Sequence, residues 1–351
     1  MLTDPADLPP NLQWSDDTAP GFRRRRAGSG FTYVGPDGRR ADAATSQRAR
    51  ALAIPPAWSD VWICAEPTGH LQATGRDARG RKQYRYHAAY RAHRDAEKFD
   101  RLLAFGASLA KMRAQVARDL GASGMPRDKV VAAVVSLLEV TLVRVGNEEY
   151  ARENGSYGLT TLRTRHVKCT PSALRLVFKG KHGIAADVTV TDPRLRRVVR
   201  KCQDLPGQVL FQYVDDEGEA RPVSSSDVND YLRSVSGNAV TAKDFRTWAG
   251  TLLAADRLAA EPPPESEKGA NKTLGAVLDV VSSHLRNTRA VCRASYVHPA
   301  IVDWYIDGSL PDRWHEASAS GSRQLLAEER KLLGLLRSMH APRRSRASAA
   351  R

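Results

Sequence analysis

The sequence predicts an α+β protein: a small antiparallel β-rich N-terminal domain followed by a larger, mainly α-helical domain. Three observations carry this reading. Residues 31–87 break into short runs rich in aromatic and β-branched residues, separated by Gly, Pro and Asp, which is the pattern of hairpins. From about Asp95 the period becomes helical, and Val130, Val134, Leu138 and Leu142 recur four residues apart. The length, 351 residues, exceeds the roughly 250–300 at which a single core stops growing.

The charge balance narrows the partners. With 54 Lys+Arg against 39 Asp+Glu the formal net charge is +15, and a polyanion, nucleic acid foremost, is the natural partner of such a surface. An anionic membrane competes for that role. The apolar run 130–145 is broken by Glu139 and Arg144 and falls short of the ~20 residues that span a bilayer, so it reads as a buried helix and no membrane partner is expected. The opening MLTDPADLPP is acidic and proline-rich where a leader needs basic and apolar residues. Cys64, Cys169, Cys202 and Cys292 form no CxxC pair, which fits reduced thiols in a cytoplasmic protein rather than a zinc site or a disulfide framework. No GxxxxGK[ST] loop occurs, and Asp215, Asp216, Glu217 and Glu219 surround Gly218 as a hairpin turn does. Neither ATP, metal nor any other cofactor is indicated.

In chain order, residues 1–30 read as an irregular arm, proline-rich and ending in Arg23 to Arg26. Residues 31–90 are the β-rich domain. Its last hairpin sets Arg76, Arg79, Arg81, Lys82 and Arg85 beside Tyr84, Tyr86 and Tyr90, a mixture suited to phosphates and to bases or sugars, or simply to a solvated edge. Residues 91–340 form the helical domain. Arg144 follows the buried stripe, with Gly146 expected to end that helix. A hairpin over 172–191 projects Lys181 at its tip, and a second spans roughly 208–222. A helix is expected after Ser224-Ser225-Ser226.

Thr241 and Asp244 resemble a capping box and open a helix carrying Phe245, Arg246, Trp248 and Leu252. Arg246 thus adds its charge near a helix N-terminus that favours anions. Residues 261–272 read as a loop. The stretch 281–299 follows, in which a helix, a turn and a second short helix lead to Tyr296, with Arg286, Arg289 and Arg293 close in sequence. A tyrosine hydroxyl has a pKa near ~10, so nucleophilic use needs cationic neighbours. Taken alone, a tyrosine among arginines is more often a half-buried aromatic beside solvated charges. After Trp304 comes a loop, then an amphipathic helix from about Arg323, and residues 341–351 read as a disordered basic tail.

Five segments in order resemble one family: GRKQY from Gly80, RVGNEEYARENGSYGLTTL from Arg144, FKGK from Phe178, KDFRTW from Lys243, and the Tyr296 segment. They are similar to the poxvirus-like type IB DNA topoisomerases in their bacterial form, over about residues 30–310. The resemblance implies a clamp around duplex DNA, with the 31–90 domain as one part of it and a monomer sufficing. It implies a catalytic set of Tyr296, Arg144, Lys181, Arg246 and Asn287, and DNA contacts from Gln72, Arg76, Arg79, Arg81, Lys82, Tyr84 and Tyr150. Tyr296 would form a DNA 3′-phosphotyrosine, two arginines would neutralise the phosphate, and Lys181 would protonate the leaving 5′-oxygen. Relaxation of supercoils would then need neither ATP nor metal, in a cytoplasmic, nucleoid-associated enzyme.

Two matters stay open at this level. Asn287 stands nine residues before Tyr296 where relatives carry histidine, while His284 lies one turn further upstream. Asn147 and Glu149 stand where some relatives carry lysine, which leaves base preference undecided. A tyrosine recombinase shares the same transesterification, but it usually carries HxxR at the second arginine, whereas this chain has KDFR. A DNA-binding protein without catalysis would explain the charge but not the five ordered segments.

Overall fold

Arg23 to Arg26 lie in a β-strand rather than in an irregular arm. In the computed structural model, which describes residues 8–78, 80–317 and 321–340, β1 (Gly21–Ala27) pairs antiparallel with β2 (Gly30–Val34) and with β3 (Ser59–Cys64). Arg24 turns inward, where its guanidinium donates to the carbonyls of Ile54, Pro55 and Trp58 and lies 4.1 Å over the Phe31 ring. These partners lie up to 34 residues away, which is why local composition misread the segment. Residues 1–7 and the expected tail, 341–351, lie outside the described residues.

Between β2 and β3 stands α1 (Ala43–Ala51), which the sequence did not announce. It is capped by Asp42, whose side chain accepts from the Thr45 amide at 2.7 Å. With β4 (Leu71–Arg76) and β5 (Lys82–Tyr86) the antiparallel sheet has the order β2-β1-β3-β4-β5. Tyr33, Ala49, Val61, Ile63 and Ala73 form its core against α1. β5 is an edge strand, and the period of two leaves Lys82, Tyr84 and Tyr86 exposed on one face.

The chain divides into two compact units, Met1–Lys98 and Phe99–Arg351. The division falls inside α2 (Ala88–Leu120), a helix that starts before Asp95 and so carries the boundary past the residue 90 expected from the sequence. In the second unit α3 (Arg127–Thr141) is the central helix. Val130, Val131, Ala132, Ala133, Val134, Val135, Leu137 and Leu138 are all at most 1% exposed, so most of the helix surface is buried in the core, while the side bearing Ser136, Glu139 and Val140 reaches outward. Each of its buried Val and Leu side chains contributes about 1.5–3 kcal/mol.

After α3 come α4 (Glu148–Asn154), then a small antiparallel sheet of β6 (Val167–Cys169), β7 (Leu174–Lys179) and β8 (Ala185–Val190). α5 (Pro193–Gln203) leads to the hairpin β9 (Gln212–Val214) and β10 (Ala220–Pro222). α6 (Ser225–Ser236) opens with Ser224 as its cap, and α7 (Ala242–Ala259) with the Thr241–Asp244 capping box. The stretch read as a loop over 261–272 is helical from Glu267, where α8 (Glu267–Leu285) begins behind the cap of Ser266. α9 (Arg289–Ser295), α10 (Pro299–Ile306) and α11 (Leu310–Glu316) follow. α11 carries Pro311 in its first turn, where proline fits, and the loop expected at SASGS, 318–322, falls largely outside the described residues.

α12 (Ala327–His340) starts later than Arg323. Its buried Glu329 accepts two bonds from Arg113 of α2 at 2.7 and 2.8 Å, and Arg113 also reaches Glu139 of α3 at 2.7 Å. Among the described residues no helix is long and apolar enough to cross a membrane.

Candidate active site

Two helix ends meet at Arg246. α3 closes with Leu142 and α8 with Arg286, both in the left-handed region at φ 53° and 49°. A helix C-terminus leaves carbonyls without donors and carries partial negative charge. Arg246, in the second turn of α7 and 4% exposed, takes one carbonyl from each end. Its Nη1 donates to Leu142 and its Nη2 to Leu285 at 2.7 Å. Beside it, Arg286 Nη1 donates to the Thr141 carbonyl at 3.2 Å. The Nε of Arg246 is buried with no acceptor, an orphan donor that calls for an explanation.

Tyr296 lies against that guanidinium, whose carbon is 5.1 Å from the ring centroid. α7 also positions its backbone. Thr251, fully buried, donates from Oγ1 to the Tyr296 carbonyl at 3.1 Å and accepts from the His298 amide at 3.1 Å. Gly250 leaves the space that Tyr296 occupies. Burial of the hydroxyl would by itself raise its pKa. The charge and hydrogen bond of Arg246, with the charges of Arg144 and Lys243, outweigh it and hold the phenol below its ordinary value. Nearby Cys292 is pushed up by burial, against the pull of Arg246 and Arg144, so the thiol stays protonated at neutral pH.

Arg144 reaches the same place from the extended segment after α3. Its carbonyl accepts from Leu159 at 2.9 Å and that of Val145 from Thr160 at 2.7 Å. Gly146 does not end the helix, as the sequence suggested. It takes φ 112° where the chain crosses Gly158, at which a Cβ would lie 2.5 Å from the Gly146 backbone. Two glycines thus let two strands of chain touch and fix Arg144. Next to them the Tyr157 amide donates to Lys179 at 2.8 Å, which ties the β7–β8 hairpin to this segment. Lys181 stands in the 3-10 turn of that hairpin, as expected.

Arg144, Lys181, Arg246 and Arg286 line one cleft with Tyr157 and Phe178, and its described lining contains no carboxylate. Burial and the charge of Arg246 depress the pKa of Arg144, while the nearby Tyr296 opposes this. Among the described residues of the lining, then, no carboxylate faces Arg144, Arg246 and Arg286. Asn287 follows directly, and its Nδ2 is a second buried donor without a partner. His284 is exposed, its Nδ1 bonds the Val280 carbonyl at 3.0 Å, and it lines a different, apolar cleft with Leu252 and Leu253.

Comparison with known proteins meets this geometry. Residues 87–307 match the family described as eukaryotic DNA topoisomerase I, catalytic core, and residues 30–77 match the bacterial DNA topoisomerase IB N-terminal domain. The chain belongs to the type IB DNA topoisomerases. The DNA topoisomerase 1B of Acanthamoeba polyphaga mimivirus is 32% identical over 293 residues, covering 81% of this chain and 87% of the relative. That of Vaccinia virus (strain Copenhagen) is 25% identical over 252 residues, covering 70% and 76%.

The positions expected to touch DNA in this type IB topoisomerase fare unequally. Gln72 is 2% exposed and fully engaged: Oε1 accepts from Arg48 at 2.8 Å, and Nε2 donates to the Glu66, Pro67 and Gly69 carbonyls. It holds a loop together and offers DNA no free atom, so that expectation is corrected. Arg81 is tied to the Asp77 carboxylate at 2.6 and 2.8 Å, which also makes it a turn-forming residue. Lys82 pairs with Asp17 at 2.7 Å but is half exposed, Arg76 donates to the Gly80 carbonyl and is likewise half exposed, and Tyr84 is exposed. Arg79 lies outside the described residues. Tyr150 is exposed on α4, whose cap is Asn147 and whose first turn holds Glu148 and Glu149, acidic residues that suit a helix N-terminus. Sequence reasoning missed Gly250, Thr251 and the Gly146–Gly158 crossing, since none bears a chemical group that names a function.

Proposed function

We propose that this type IB topoisomerase relaxes duplex DNA by reversible transfer of one strand to Tyr296. The observation that carries the reading is a cleft lined by Arg144, Arg246 and Arg286 with no described carboxylate, where Arg246 Nε is an orphan donor; Asn287, next to Arg286 in sequence, holds another at Nδ2. A phosphodiester supplies the missing anion and acceptors.

In this reading the Tyr296 oxygen attacks the phosphorus in line and gives its proton to solvent, a loss eased by its lowered pKa. The P–O5′ bond breaks, a 3′-phosphotyrosine forms, and Lys181 Nζ gives a proton to the departing 5′-oxygen. Arg144 and Arg246 neutralise the non-bridging oxygens as charge builds there, and Asn287 adds a neutral N–H. The reverse steps reseal the strand after it has swivelled. Because the phosphotyrosine keeps the energy of the cleaved bond, the cycle calls on neither ATP nor metal. One tyrosine cuts one strand, so a monomer suffices. The clamp implied by the resemblance, with both units contacting the duplex, belongs to the same proposal, as do DNA contacts by Arg76, Lys82, Tyr84 and Tyr150.

Supercoiled plasmid incubated with the protein in EDTA without ATP tests the reading. Relaxation of both positive and negative supercoils is expected. Recombination between paired sites would favour a tyrosine recombinase, and retardation without relaxation would overturn both.

A further inference from the structure

We propose that Arg286 is a further phosphate ligand, binding the phosphate adjacent to the scissile one on the cleaved strand. The proposal rests on the reading of the cleft given above and adds a residue that the catalytic set does not contain.

The first observation is conformational. Arg286 closes α8 at φ 49°, a position where glycine is favoured because an L side chain crowds the backbone there. Its amide donates to the Ser282 and Ser283 carbonyls, bonds that glycine would make as well. The backbone thus gives no reason for arginine, and the side chain must.

The second observation is where that side chain goes. It is half-buried and lines the cleft of Arg144, Lys181 and Arg246. A guanidinium has five N–H donors, and among the described residues the one hydrogen bond it makes is to Thr141. Burial first, and then the charge of Arg246, disfavours its cationic form, which is the condition of a group placed to meet an anion.

The choice of phosphate follows from Tyr296. The guanidinium of Arg246 lies 5.1 Å over the Tyr296 ring, whereas that of Arg286 is held at the Thr141 carbonyl at the end of α3. Arg286 therefore flanks the reacting centre, and the neighbouring phosphate is the group within its range.

The test uses cleavable duplexes carrying one neutral methylphosphonate, placed in turn at each of the two phosphates flanking the scissile one. Wild type is compared with Arg286→Gly and with Arg286→Asn, both tolerant of the left-handed backbone. The variants should melt within about 2 °C of wild type or above it. They should bind unmodified duplex about tenfold more weakly, with the salt slope reduced by about 0.9. At one flanking position the methylphosphonate should weaken wild type by about the same tenfold factor and leave the variants within about twofold. Equal sensitivity of wild type and variants at both positions, or an unchanged salt slope, would overturn the proposal. Failure of the wild type to cleave unmodified duplex would instead remove the reading of the cleft itself.

Discussion

A Cβ added to Gly250 would lie 2.7 Å from the carbonyl oxygen of Tyr296 and 3.1 Å from its Cβ. The first contact is with backbone and cannot be relieved by turning a side chain. Gly250→Ala must therefore push the tyrosine away from Arg246. Overpacking of this kind costs about 1–3 kcal/mol, and a displacement near 1 Å at a reacting group can slow chemistry about 100-fold. Single-turnover cleavage and urea unfolding measure the two effects. Cleavage within threefold of wild type would show that the packing does not position the nucleophile.

The pH dependence of cleavage follows from the lowered pKa of Tyr296. An acid whose folded pKa is depressed has its anion favoured in the fold, so the rate should rise with pH and level off below the ~10 of free tyrosine. Removing Arg246 removes the largest opposing charge while burial remains, so Arg246→Ala should move the plateau upward. The same variant, and Arg144→Ala, should slow cleavage by about 10²–10³, the usual cost of one preorganised donor. A profile in Arg246→Ala that levels at the wild-type pH would sever the link between the two residues.

Lys181 stands in a hairpin turn against the cleft. If it protonates the 5′-oxygen, Lys181→Ala should cleave slowly, and it should recover when that oxygen is replaced by sulfur, since a thiolate leaves without a proton. Slow cleavage of the sulfur substrate would make its role electrostatic alone.

Asn287 and His284 are separated by their surroundings. Asn287 holds an orphan donor, whereas His284 points its ring at the Val280 carbonyl. Asn287→Ala should slow single-turnover cleavage substantially, His284→Ala should leave it within about twofold, and Asn287→His should retain activity. A severe loss in His284→Ala with an active Asn287→Ala would reverse the assignment.

The proposed catalytic residues were named from the segments that resemble the family, while helical period and capping residues located some of the elements that carry them. Thr241 and Asp244 announced the helix that carries Arg246. What escaped was set by contacts distant in sequence. Arg24 is ordered by carbonyls 30 to 34 residues away, and Gln72, expected to touch DNA, is closed in by Arg48 and three carbonyls. Gly146 carried a misleading signal: glycine after an apolar helix suggests a stop, but its conformation serves the crossing with Gly158. Leu142, which actually closes α3, is a residue type that seldom takes a left-handed backbone.

The central claim is that Tyr296 carries the broken strand. Denaturing a reaction in mid-cycle, digesting the protein and sequencing the peptide that retains DNA tests it most directly. The account predicts a nucleotide 3′-phosphate on Tyr296, and a Tyr296→Phe variant that binds duplex as wild type does yet yields no adduct. An adduct on Cys292 or any other residue, or one formed by the Phe variant, would contradict it.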